Sequence, residues 1–149
     1  MIKYEVIKKN RLPCLKAIFD TKQNEIVASS SDIYEILIKE GLREKAEEYL
    51  YLFSINMRGR ILGIFEVAHG ECDFCVTSPA QIIMRILLTG GRRAILAHNH
   101  PSGEVKPSDD DIKYTEDVKK AMNIVGIRLM DHVIIGDNCY FSMLDEGLL

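Results

Sequence analysis

An unbroken apolar run, Ala94-Ile95-Leu96-Ala97, ends directly in His98-Asn99-His100-Pro101. This junction constrains the fold more than any other part of the chain. A short apolar run without polar alternation reads as a mostly buried strand, here Arg93 to His98. Residues i and i+2 of a strand point to one face, so His98 and His100 can aim both imidazoles at one point. A loop bracketed by Pro101 and Pro107 follows. It leads to Ser108, a natural helix N-cap, which puts Asp109, Asp110 and Asp111 in a first helical turn. Two imidazoles beside carboxylates suit a zinc ion, which in a catalytic site takes three protein ligands and keeps one position open. The third ligand is expected from the acidic turn. Asp111 stands three residues after the cap, so it and Ser108 can face one site together.

The rest of the chain reads as support for that strand. Residues 1–28 suggest short strands and turns. Ser30-Ser31-Asp32 starts a helix with Ile33, Ile36 and Leu37 on its apolar face, stopped by Gly41. Glu44 to Glu48 suggests one further helical turn. Tyr49–Asn56 and Ile61–Ala68, around the glycine-bearing turn 57–60, read as a hairpin. Ser78-Pro79 opens a helix with Ile82, Ile83, Ile86 and Leu87 on its buried face, and Gly90-Gly91 end it. The helix from Ser108 would turn Ile112, Thr115, Val118, Met122 and Val125 inward. Arg128–Ile135 and Tyr140–Met143 are closing strands around Gly136-Asp137-Asn138. This order predicts an α/β domain spanning 1–149: a mixed β-sheet flanked by α-helices, with 49–149 carrying the metal-site core.

Glu66 lies in the apolar strand Ile64-Phe65-Glu66-Val67-Ala68. A carboxylate there is costly unless it is hydrogen-bonded or functional. The functional reading is a general base beside metal-bound water; the plain one is an edge strand with Glu66 in solvent. His132, after Asp131, reads as a satisfied core histidine, or else as a group that orients a metal ligand.

With 149 residues and a net charge of −3, the chain has room for a real core but lacks the basic excess of a dedicated nucleic-acid binder. No apolar run approaches the roughly 18 residues of a membrane span. No export signal core opens the chain, so the expected location is cytoplasmic, with Cys14, Cys72, Cys75 and Cys139 reduced. Cys72-x-x-Cys75 with His69 has no second pair to complete a structural zinc site. It also precedes the histidines, which excludes the zinc deaminase pattern. His98-Asn99-His100 are adjacent on one strand, unlike the dispersed residues of HNH nucleases.

The set Glu66…His98-x-His100-Pro101-x(6)-Ser108-x-x-Asp111 resembles the JAMM signature of the JAB/MPN metalloprotease superfamily. Ala94 to Gly103, with Pro107-Ser108 and Asp131-His132-Val133-Ile134-Ile135-Gly136, looks like its RadC branch, which shares Asn99. The resemblance covers about residues 50–149. It implies a cytidine-deaminase-like fold and one Zn2+ per chain on His98, His100 and Asp111. It further implies Glu66 as the base and Ser108 as a helper hydroxyl. The implied reaction is hydrolysis of an amide, peptide or isopeptide, in a peptide or protein substrate. The alternative implied by the RadC branch is a DNA repair or mobile-element accessory protein whose metal site is structural or silent.

Overall fold

A computed structural model describes residues 2–20, 26–70 and 77–149. The Cys72/Cys75 pair lies outside these residues. In chain order the elements are β1 (Ile2–Lys9), β2 (Leu12–Asp20), α1 (Ser30–Lys39), β3 (Glu48–Ile55), β4 (Ile61–Gly70), α2 (Pro79–Thr89), β5 (Arg93–Asn99), α3 (Asp109–Ile124), β6 (Arg128–Ile135) and β7 (Tyr140–Ser142). All seven strands join one sheet in the order β2-β1-β4-β3-β5-β6-β7. The β1/β4 and β5/β6 pairs are parallel and the other four antiparallel, so the sheet is mixed, as the sequence predicts.

Strand alternation sorts the core onto two faces. Tyr51, Phe53 and Ile55 of β3 pack with Ile33, Ile36 and Leu37 of α1. Leu52, between them in sequence, packs on the other face with Phe65, Ile82 and Ile86 of α2, and Val118 and Met122 of α3. Helices thus cover both faces of β5, which explains its unbroken apolar run. Fully buried side chains such as Phe53, Phe65 and Leu96 each contribute about 1.5–3 kcal/mol through removal of apolar surface from water.

The expected hairpin forms. Asn56 Oδ1 accepts from the backbone N–H groups of Arg58 and Arg60, and Gly59 takes a φ of 79° in the turn. Three local expectations are corrected. A 3-10 turn covers only Leu42–Glu44, so Glu48 opens a strand instead of closing a helical turn. Leu87 is 54% exposed, because the buried stripe of α2 is narrow and centres on Ile82 and Ile86. Val125 is 43% exposed because α3 ends at Ile124; Ile127, past the turn, takes the buried place at 1%.

Candidate metal centre

Four side chains converge where β3 begins, β5 ends and α3 begins. One ligand atom from each of Glu48, His98, His100 and Asp111 lies within 4.8 Å of all the others. His98 Nε2 is 2.9 Å from His100 Nε2, 3.2 Å from Asp111 Oδ1 and 3.7 Å from Glu48 Oε1. His100 Nε2 is 3.6 Å from Asp111 Oδ2. Atoms held tetrahedrally at about 2.0–2.2 Å from one ion lie about 3.3–3.6 Å apart, and these separations straddle that value. With both imidazoles neutral the group carries two negative charges, which a divalent cation neutralises. The donor set therefore fits a metal ion. His98 and Asp111 are buried, whereas the side chains of Glu48 and His100 are 26% and 18% exposed, so the group opens to solvent on their side.

Each member has a local reason for its place. Leu50 of β3 pairs with His98 of β5, and Glu48 is two residues before Leu50, so alternation turns Glu48 to the face that carries the histidines. Asn99, between the histidines, points to the opposite face and is 3% exposed. Its Oδ1 accepts from the Tyr49 N–H at 2.8 Å, and its Nδ2 donates to the Glu47 carbonyl at 3.0 Å. His100 Nδ1 donates to the Glu104 carbonyl at 2.8 Å, which leaves Nε2 as the lone-pair nitrogen of the neutral ring. Asp111 and Ser108 form a capping box. Ser108 Oγ accepts from the Asp111 N–H at 3.1 Å, and the Ser108 N–H and hydroxyl both donate to Asp111 Oδ2, at 2.8 and 2.6 Å.

The electrostatics follow the packing. Burial pushes His98 well below its ordinary value, reinforced by His132. The bond with Asp111 raises His100. Burial would raise Asp111, but His100, His98 and Ser108 together hold it far below the usual carboxylate range. Burial raises Glu48.

Behind the group runs a chain of hydrogen bonds. His98 Nδ1 meets His132 Nε2 at 2.8 Å, His132 Nδ1 meets Thr115 Oγ1 at 2.6 Å, and Thr115 donates to the Asp111 carbonyl at 2.6 Å.

Of the residues singled out in the sequence, His98, His100 and Asp111 come together, with Ser108 bonded to Asp111. Glu66 does not join them. Glu66 pairs with Tyr51, and Tyr51 with Ala97, so Glu66 stands two strands from β5, about 10 Å away at normal strand spacing. It also lies on the wrong face. Its strand neighbour two places back, Ile64, packs in the α1 cluster with Tyr51 and Ala97, opposite His98. Its carboxylate instead meets His69 Nδ1 at 2.8 Å on the surface. The second carboxylate in the group, beside Asp111, is Glu48. Its signal was a charge at the mouth of an apolar strand, but only the pairing of β3 with β5 shows what that charge faces.

A family model described as a RadC-like JAB domain matches residues 27–148. Similar curated proteins include UPF0758 proteins of Clostridium acetobutylicum (36% identical, covering 76% of this chain and 49% of the relative) and of Clostridium beijerinckii (35%, covering 93% and 59%). Another, from Carboxydothermus hydrogenoformans, is 38% identical over 78% of this chain and 51% of the relative. The chain thus spans about half the length of the curated relatives it matches.

Proposed function

The chain belongs to the RadC-like JAB domain family, and from that premise and the geometry above we propose that it is a zinc-dependent hydrolase of amide bonds, peptide or isopeptide, acting on a peptide or protein substrate. The observation that carries this reading is the convergence of Glu48 with His98, His100 and Asp111 in a group open on one side. His98, His100 and Asp111 would hold the ion. Zinc bound there supplies a lowered pKa for its water and polarisation of a carbonyl.

The chain's own residues do the rest. Glu48, on the open side, is placed to accept the water proton at its carboxylate and to return it to the leaving amine. This gives Glu48 the role that the sequence pattern assigned to Glu66. Ser108 holds Asp111 with two donated hydrogen bonds, so its first duty is to fix a ligand; help to a developing oxyanion would need its hydroxyl to turn from Asp111. Among the described residues no helix is long and apolar enough to cross a membrane.

The test joins metal analysis with a peptide-mixture digest read by mass spectrometry. Protein purified without chelator is expected to carry about one zinc per chain and to cleave peptides. Glu48→Gln should keep the zinc and lose cleavage, while Glu66→Gln keeps both. Zinc-free wild-type protein, or cleavage that persists in Glu48→Gln, overturns the reading.

A further inference from the structure

The hydrogen-bond chain behind the metal centre has a direction, and the direction can be read atom by atom. The Thr115 hydroxyl has one proton, which it gives to the Asp111 carbonyl at 2.6 Å. Toward His132 Nδ1, at 2.6 Å, Thr115 Oγ1 can then only accept, so Nδ1 of His132 carries a proton. His132 is 1% exposed, and such burial disfavours a charged ring, so with its one proton on Nδ1 its Nε2 is bare. That bare nitrogen faces His98 Nδ1 at 2.8 Å and must accept from it. His98 therefore carries its proton on Nδ1 and keeps its lone pair on Nε2, the atom 3.2 Å from Asp111 Oδ1.

We propose that Thr115 and His132 are positioning residues: they fix His98 in the tautomer that can ligate a metal, and they tie that ring to the backbone of Asp111, a second ligand on another element. The inference rests on the metal-centre reading above. Four links close a ring through β5, β6 and α3: His98 to His132, His132 to Thr115, Thr115 to Asp111, and the two ligand atoms to each other. A core histidine with no such duty would need only any partner for each nitrogen. Here the one-proton hydroxyl at the far end leaves a single pattern of protons. If the hydroxyl is removed, His132 can move its proton to Nε2 and donate to His98 Nδ1. His98 must then hold its own proton on Nε2, where it blocks the metal.

Two measurements test this with zinc as the only probe. In the first, long-range 15N–1H spectra of the metal-free wild-type protein report which nitrogen is protonated. The expected result is Nδ1–H on both His98 and His132; Nε2–H on His98 overturns the proposal with no variant needed. The second is zinc affinity by chelator competition. Thr115→Val is expected to weaken zinc about 10- to 100-fold, the usual cost of losing a bond that orients a ligand. Thr115→Ser, which restores the hydroxyl, should bind within a few-fold of wild type. Equal affinity in Thr115→Val and wild type, with unchanged tautomers, defeats the proposal. Wild-type protein that does not bind zinc defeats the metal-centre reading instead, and the tautomer spectra still decide the relay.

Discussion

Asn99 holds the peptide groups on both sides of Glu48. One amide side chain accepts from Tyr49 N–H and donates to the Glu47 carbonyl, so the carboxylate between them leaves a fixed stretch of backbone. The residue that separates the two histidines in sequence thus sets, from the opposite face of the sheet, where the fourth member of the group stands. Asn99→Leu should remove two hydrogen bonds to partly exposed backbone groups and cost about 1–2 kcal/mol. Urea denaturation measures that loss. Zinc should still bind, since no proposed ligand is removed, while peptide cleavage falls.

Ser108→Ala removes both the cap on α3 and a donor to Asp111 Oδ2. The lost cap should cost about 1 kcal/mol in the same denaturation experiment. The freed carboxylate should also hold zinc less tightly, a loss read by chelator competition. Unchanged affinity would show that the Ser108 N–H alone suffices to orient Asp111.

Glu66→Gln should be nearly silent. Its partner His69 is 56% exposed and Glu66 itself 45%, and exposed pairs of this kind contribute about 0–1 kcal/mol. Zinc affinity and the denaturation midpoint are both expected to stay at wild-type values.

Tyr51 makes the alkaline side of the stability curve predictable. Burial, helped by Glu66, pushes its phenol up to about 12. Between pH 10 and 12 the folded chain keeps a proton that the unfolded chain loses, so stability falls as pH rises through that window. At about 1.4 kcal/mol per unit, the loss between pH 9 and 11 should be about 1 kcal/mol. Tyr51→Phe should remove that part of the slope in denaturation curves taken at the two pH values.

How far these features could be read from the chain depends on how local their causes are. The candidate ligands His98, His100 and Asp111 lie within 14 consecutive residues, on a strand end and a capped helix whose signals are local. Glu48 is fifty positions before His98, and its membership depends on β3 lying beside β5 in one register. Glu66 shares a face with Ile64, as strand alternation requires. That face is the one packed against α1, and neither periodicity nor spacing says which face of a sheet carries the chemistry. Asn99 was invisible for the same reason as Glu48: its partners are backbone groups, which carry no residue signature. The exposed Leu87 and Val125 mark where a helical stripe meets its boundary, which depends on neighbouring elements more than on the helix itself.

The central position of β5 has a consequence for how the chain matures. The strand is flanked by β3, which precedes it, and β6, which follows it. A freshly made His98-x-His100 pair therefore lacks Glu48 until β3 has paired with β5, and lacks Asp111 until α3 has packed on the sheet. Uptake of an ion would then be a late event that reports a finished sheet. An ion that binds only the finished sheet adds about 4 kcal/mol to its stability when free ion stands a thousandfold above the dissociation constant. Metal supply would act on this chain as a proofreading step for the pairing of β3 with β5.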